Sequence, residues 1–391
     1  MSALLDLPPE LVLRIFQQLG PGSNYTDKER QTDLARLAPV CKAFHAATIP
    51  LLYSDTVNVR SAGRTFLLAR TLAAQADLAP LVHTLVAQCA IDMGHSPSVL
   101  ALLQHTPKLA CLTLDGVYLT SHGSPEMRAA LAAKRLNSLT YGSVAGSTGG
   151  LVCLAPFLQT FTALEHLALR DVPVEVPADR WTAPPGAPAT FRACGPAPAY
   201  TLRSFEWHNE RRGLETRPWS LCAVEWALGA TIALTSLTLV DFPATFALGT
   251  LFDALAARGC GTALRRLTVR QFEHRALSPL EPVPRGDVDP NELEAWFPAL
   301  THLALEDTPD APNFAPPADG VFHPPPELRV LELHGGLHRP FGLAHTLEGA
   351  KGALGKIRLV GPYPTDPDVK ELRWMCQEAG VLLEAARSFQ S

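Results

Sequence analysis

Charge is sparse in this 391-residue chain. Asp, Glu, Lys and Arg together make up 18% of it, and 33 basic against 38 acidic residues leave a formal net charge of −5. No long basic run occurs, so a nucleic-acid binder, whose affinity rests on clustered Lys and Arg, is not expected. Paired-cysteine motifs are missing too. The eight cysteines, at 41, 89, 111, 153, 194, 222, 260 and 376, include no C-x-x-C. They read as small buried hydrophobes, not as a disulfide framework. Long apolar runs are also lacking. The longest uncharged window, Leu136 to Leu164, is interrupted by Gly146-Ser147-Thr148-Gly149-Gly150, so no membrane span is expected. Residues 1 to 11 contain Asp6 and Glu10 and no basic residue, unlike a secretory signal. The expected setting is intracellular, cytoplasmic or nuclear.

Catalytic signatures are scarce. There is no G-x-x-x-x-G-K-[ST], no G-x-G-x-x-G and no H-E-x-x-H. Ala145-Gly146-Ser147-Thr148-Gly149 approaches a G-x-S-x-G elbow with Ala in first place, but a Gly-rich loop accounts for it better. The expectation is a chain with no catalytic residue, no cofactor and no metal site.

What the chain does have is a cadence, L-x-x-L-x-L, clearest at Leu300-Thr301-His302-Leu303-Ala304-Leu305. Full or conservatively substituted copies begin at Leu109, Leu136, Leu164, Leu202, Leu234, Leu264, Leu300, Leu328 and Leu354, with a degenerate one at Val82. Successive copies stand 26 to 38 residues apart. Such a period marks a solenoid, in which one repeat cannot bury its apolar face alone. The alternation in each copy predicts a short strand with one buried face. Helical patterns follow at 98–105, 125–134, 151–161, 219–228, 246–257, 342–351 and 368–379. Strand then helix at each step predicts a parallel sheet inside and helices outside.

Over residues 81–391 this pattern resembles the leucine-rich repeat family. The family usually places Asn or Cys three residues after the last Leu. Here that place holds Val117, Val144, Val172, Phe242, Phe272, Thr308, Gly336 and Pro362, so no asparagine ladder forms. Three repeats end instead in Asp171-Val172-Pro173, Asp241-Phe242-Pro243 and Asp307-Thr308-Pro309, where Asp caps a turn and Pro stops the strand. Three Pro-rich insertions, 173–198, 279–298 and 309–326, hold 19 of the 35 prolines. Their composition predicts extended, poorly packed surface segments.

The first fifty residues differ from the rest. Leu7-Pro8-Pro9-Glu10 opens a helical pattern in which Leu11, Ile15 and Leu19 recur at spacing four beside Val12 and Phe16. Gly20-Pro21-Gly22 ends it, and a polar insert, Ser23 to Thr32, follows. A second pattern carries Leu34, Leu37 and Ala38, then Val40-Cys41-Lys42-Ala43-Phe44 and Pro50-Leu51-Leu52-Tyr53. Together these motifs resemble an F-box. The resemblance implies docking to the adaptor of a cullin scaffold, as in an SCF complex, through Leu7, Pro8, Leu11, Ile15, Phe16, Val40, Cys41 and Phe44. A fifty-residue bundle cannot hide so many apolar side chains, and a surplus patch marks an interaction site. Leu34 and Leu37 are assigned to internal packing.

The expected architecture is thus an α/β chain. A three-helix F-box-like bundle (1–55) and a connecting helix (56–80) precede a curved leucine-rich-repeat solenoid (81–391). On the concave strand face, charge and imidazole gather from the third repeat onward: His166, Arg170, Glu206, His208, Arg266, Arg270, His302, Glu306, Glu332, His334, Lys356 and Arg358. This face is the expected binding surface for a target protein, and Arg266, Arg270 and Arg358 are candidates to grip a carboxylate or a phosphate. The functional expectation is a substrate-recognition subunit of an SCF-type ubiquitin ligase. The alternatives are a scaffold with no ubiquitin role, a hydrolase built on Ser147, and a receptor gated by an anionic small molecule.

Overall fold

The computed structural model describes residues 11, 14, 27–54, 56–88, 96–116, 125–142, 150–172, 194–209, 221–242, 246, 248–270, 288–306, 314, 321–334, 347, 354–360 and 367–386. They fall into two compact units, 1–164 and 165–391.

Among the described residues of the first unit, Leu11 and Arg14 are helical, and the helices α1 (Asp27–Leu37) and α2 (Lys42–Ser54) follow. Four strands alternate with helices after them: β1 (Thr56–Val59), α3 (Ala62–Ala74), β2 (Thr84–Gln88), α4 (Ser96–Gln104), β3 (Cys111–Asp115), α5 (Pro125–Ala132), β4 (Ser138–Gly142) and α6 (Leu151–Leu158). The strands pair in parallel in chain order, with Val57 opposite Leu85, Leu85 opposite Leu112 and Leu112 opposite Leu139. Period-two alternation sends Leu85, Ala87, Leu112, Leu114, Leu139 and Tyr141 to the buried side. Ser61 caps α3 by accepting from the Arg64 N–H, which fixes where that helix starts.

The second unit repeats the scheme. Its strands are β5 (His166–Arg170), β6 (Ser204–His208), β7 (Ser236–Val240), β8 (Arg266–Arg270), β9 (His302–Glu306), β10 (Val330–His334), β11 (Lys356–Val360) and β12 (Leu382–Ala386). All pair in parallel with their chain neighbours. Helices α7 (Leu221–Ala227), α8 (Leu248–Ala257), α9 (Leu293–Trp296) and α10 (Pro367–Glu378) fall between strands. Its core is aromatic as well as aliphatic. Phe205 and Trp207 are fully buried edge to face at 6.1 Å, and Phe252 meets Phe297 the same way at 5.2 Å. Two large polar aromatics find main-chain partners: the Tyr200 hydroxyl donates to Ala227 O at 2.6 Å, and Trp226 Nε1 donates to Gly195 O and Pro196 O.

One main-chain device sets the repeat. Two successive N–H groups at the start of a strand donate to a single carbonyl of the repeat before. Asn137 and Ser138 donate to Ala110 O, Arg265 and Arg266 to Thr235 O, Thr301 and His302 to Arg265 O, and Arg329 and Val330 to Thr301 O. These bonds satisfy the main chain where a strand starts, while the buried apolar face of the cadence selects the register. The chain leaves three strands through a residue in the left-handed region: Gly116 (φ 72°), Asp171 (φ 52°) and Asp241 (φ 60°). Asp is one of the few side chains that tolerates that conformation. Val172 and Phe242, which stand where the family ladder would have Asn, are buried as apolar plugs.

Several expectations need correction. Strand β1 lies ahead of the helix at 62–74, and β12 closes the second unit; neither follows the full cadence. Helix α1 starts at Asp27, inside the expected polar insert 23–32, because Lys28, Glu29 and Arg30 are good helix formers. Parts of the Pro-rich segments are packed rather than loose. Val288, Leu293 and Phe297 are fully buried, and so is Phe322, while Phe314 bridges Val288 in parallel. Asn291 clamps the pair of segments, donating to Val321 O at 3.1 Å and accepting from the His323 N–H at 2.7 Å. Large aromatics anchor what proline content alone marked as loop. The elbow-like 145–149 lies outside the described residues, as does all of 342–351 except the helical Leu347. Among the described residues no helix is long and apolar enough to cross a membrane.

Candidate functional sites: an apolar helical surface and a charged strand face

In the first unit, α1 and α2 pack through Leu34, Phe44, Ala47 and Leu51, with Leu37, Cys41 and Leu52 half-buried against them. The Gln31 amide donates to Thr56 O, tying α1 to strand β1. Cys41 stands at the start of α2, where its Sγ accepts from the Phe44 N–H at 3.4 Å. Two candidate docking residues are open to solvent, Leu11 at 44% and Val40 at 56%. Phe44 is not: only 7% exposed, it belongs to the bundle core rather than to a docking surface. Leu7, Pro8, Ile15 and Phe16 lie outside the described residues.

In the second unit the polar sides of β5 to β11 carry the twelve charged and imidazole candidates. The structure brings five of them into one network. Glu332, on β10, accepts from Arg270 Nη2 at 2.8 Å and from Arg358 Nη1 at 3.2 Å. His334 stands between two carboxylates, with Nε2 2.6 Å from Glu332 and Nδ1 3.4 Å from Glu306. Its side chain is almost entirely enclosed, so a residue expected on an open face is instead a bridging group. The register explains the meeting: Arg270, Glu306 and His334 are direct neighbours on β8, β9 and β10, and Glu332 is opposite Arg358.

Electrostatics follow from that geometry. The hydrogen bond from His334, with the charges of His334, Arg270 and Arg358, holds the Glu332 carboxyl down at about 2 against the opposing effect of burial. Glu306 moves the other way, raised by burial more than His334 and Arg270 lower it. On β6 a hydrogen bond from His208 lowers Glu206, at an imidazole–carboxylate distance of 3.5 Å. His166 meets the Ser204 hydroxyl at 2.8 Å. Lys356 pairs with Glu384 of β12 at 2.8 Å. His302 is pushed down by burial and by the cations Arg266 and Arg329.

Arg270 and Arg358 therefore already hold a carboxylate of their own chain, while Arg266, expected to act with them, does not join the network. Sequence reasoning did not single out Arg329. It occupies the second place of L-x-x-L-x-L, just before the strand, whereas the alternation rule points to the third, fifth and seventh. Among the described residues no group of three or more His, Cys, Asp and Glu is placed to hold a metal ion.

In a comparison with known families, a model described as F-box-like matches residues 4–56. No curated protein matches the chain.

Proposed function

We propose that this chain is the substrate-recognition subunit of an SCF-type cullin ubiquitin ligase. The observation that carries the reading is the F-box-like match over 4–56. Leu11 and Val40, inside that span and open to solvent, suit a docking surface. The polar strand face of the second unit is the proposed seat for the target protein, since repeat arrays bind partners on such faces. In this reading the chain works inside the cell and catalyses nothing. It acts by joining two binding surfaces in one polypeptide, which raises the effective concentration of the target near the transfer machinery.

The test is co-expression with the host's cullin adaptor followed by size exclusion. Wild type is run beside a Leu7→Ala/Pro8→Ala double variant. Co-elution of wild type alone supports the reading. A wild type that stays folded and elutes without the adaptor overturns it, and residues 4–56 then serve only as an end cap for the repeats.

A further inference from the structure

On the strand face of the second unit, most cations have an oxygen partner. Arg270 and Arg358 share Glu332, Lys356 holds Glu384, and Arg203 holds Glu165 at 3.1 Å. Arg265 donates to Ala299 O at 2.8 Å, and Arg170 lies close enough to Glu206 to lower it. Two cations break the pattern. Arg266 and Arg329 are both exposed, and neither guanidinium makes an ion pair or a hydrogen bond among the described residues.

These two side chains flank an imidazole. Arg266 and His302 are opposite each other on β8 and β9, His302 is opposite Val330 on β10, and Arg329 immediately precedes Val330. Three basic groups thus stand side by side, on β8, on β9 and at the residue that leads into β10, across roughly 10 Å at the usual strand spacing. The nearby carboxylates Glu306 and Glu332 are already taken up by His334 and Arg270. Burial lowers His302, and the nearby charges of Arg266 and then Arg329 push it further toward its neutral form. Uncompensated like charge on neighbouring strands is unfavourable, and an oxyanion placed among the three groups would relieve it.

The surroundings say what form that oxyanion takes. The next row of the same face is Thr238, Thr268 and Ala304, side by side on β7, β8 and β9. Small side chains on three consecutive strands leave an open shelf rather than an enclosed pocket. A free small anion would stay largely hydrated on such a shelf. One carried by a polypeptide could lay its flanking residues along the small row while the guanidiniums grip the charge in bidentate fashion.

We propose that Arg266, His302 and Arg329 form an anion-binding subsite that takes a phosphoryl or carboxylate group borne by a segment of the target protein. The assignment of the ligand to a target rests on the recognition reading above.

Fluorescence anisotropy on the full chain tests it with three labelled nonapeptide pools of random flanks. One pool has a central phosphoserine, one a central Glu-Glu and one a central Ser. Wild type is expected to bind an anionic pool about tenfold more tightly than the serine pool. Preference for phosphoserine alone identifies a phosphoryl ligand, and equal binding of both anionic pools identifies a carboxylate-type ligand. Arg266→Ala/Arg329→Ala should lose the preference, and Arg266→Lys/Arg329→Lys should keep part of it. Lys370→Ala/Arg373→Ala, which removes the same charge from α10, should leave it intact. The proposal is overturned if the three pools bind alike, or if the α10 variant loses as much as the Arg266/Arg329 variant. Adaptor co-elution measured on the same preparations separates the two readings. A chain that prefers an anionic pool without binding adaptor keeps the subsite and loses the ligase role. A chain that binds adaptor and ignores both anionic pools loses the subsite alone.

Discussion

His334 Nε2 stands 2.6 Å from Glu332 Oε1 on the same strand, while the other nitrogen of the ring faces Glu306 at 3.4 Å. One enclosed imidazole therefore holds two carboxylates, and its protonated form can donate to both. The arrangement makes the strand face sensitive to acid. Glu332 titrates at about 2 in the folded chain against an ordinary 4.5, so its stabilisation is complete above 4.5 and is lost as pH falls toward 2. Glu306, raised by burial, works in the opposite sense: it costs stability as pH rises through its ordinary value. Glu332→Gln should lower stability at neutral pH by about 1–3 kcal/mol. It should also flatten the decline of Tm between pH 4.5 and 2. Melting curves across that window check this, and superimposable slopes for the two proteins would remove Glu332 from the account.

The helical pair of the first unit separates surface from core. Val40→Asp should abolish adaptor co-elution while leaving Tm within about 1 °C of wild type, since an exposed change seldom moves stability by more than about 0.5 kcal/mol. Phe44→Ala should do the reverse in kind. It should destabilise by about 3–5 kcal/mol, because it empties the space between Leu34 and Leu51. Urea unfolding followed by helix signal, alongside size exclusion, distinguishes the two. Equal loss of stability in both variants would show that Val40 is packed.

Thr231 joins two repeats. Its buried hydroxyl accepts from the Leu202 N–H at 2.9 Å and donates to Leu228 O. Thr231→Val keeps the shape and strands the amide, so a loss of about 1–3 kcal/mol is expected. A urea midpoint unchanged from wild type would sink the claim.

Gly261 has no room for a side chain. A Cβ there would lie 2.3 Å from the carbonyl oxygen of Trp296, which is backbone and cannot swing aside. Gly261→Ala should cost about 1–3 kcal/mol as an overpacked site. Gly259 offers the contrast: it has open space around it but a φ of +87°, so Gly259→Ala tests conformation without collision. Thermal melts of the two variants resolve which constraint dominates.

Much of this fold could be read from the chain because one rule repeats. Each L-x-x-L-x-L from Leu109 to Leu354 lies on a strand in parallel register, and the helical patterns at 98–105, 125–134 and 246–257 match α4, α5 and α8 closely. The strands at the two ends were not legible. In β1 the first place of the cadence falls on Ser54, and in β12 it falls on Gly380, with Ala385 in the last place. Pairing with a neighbour supplies what their own apolar content lacks. Pro-rich composition hid Phe314 and Phe322, since a few aromatic anchors outweigh many prolines. On the polar face the alternation rule found twelve side chains but not their partnerships. Whether Arg270 is spent on Glu332 or free for a ligand depends on rotamers and strand register, and spacing alone does not carry either.

The double hydrogen bond that starts β6, β8 and β10 is made by main chain only, so the side chains at 203, 265 and 329 take no part in it. Their side chains can be exchanged while every backbone bond survives. A library randomised there should yield mostly folded chains that differ in what they hold. In that sense the scaffold is rewritable: its specificity and its architecture are encoded by different atoms, and one can be edited without consulting the other.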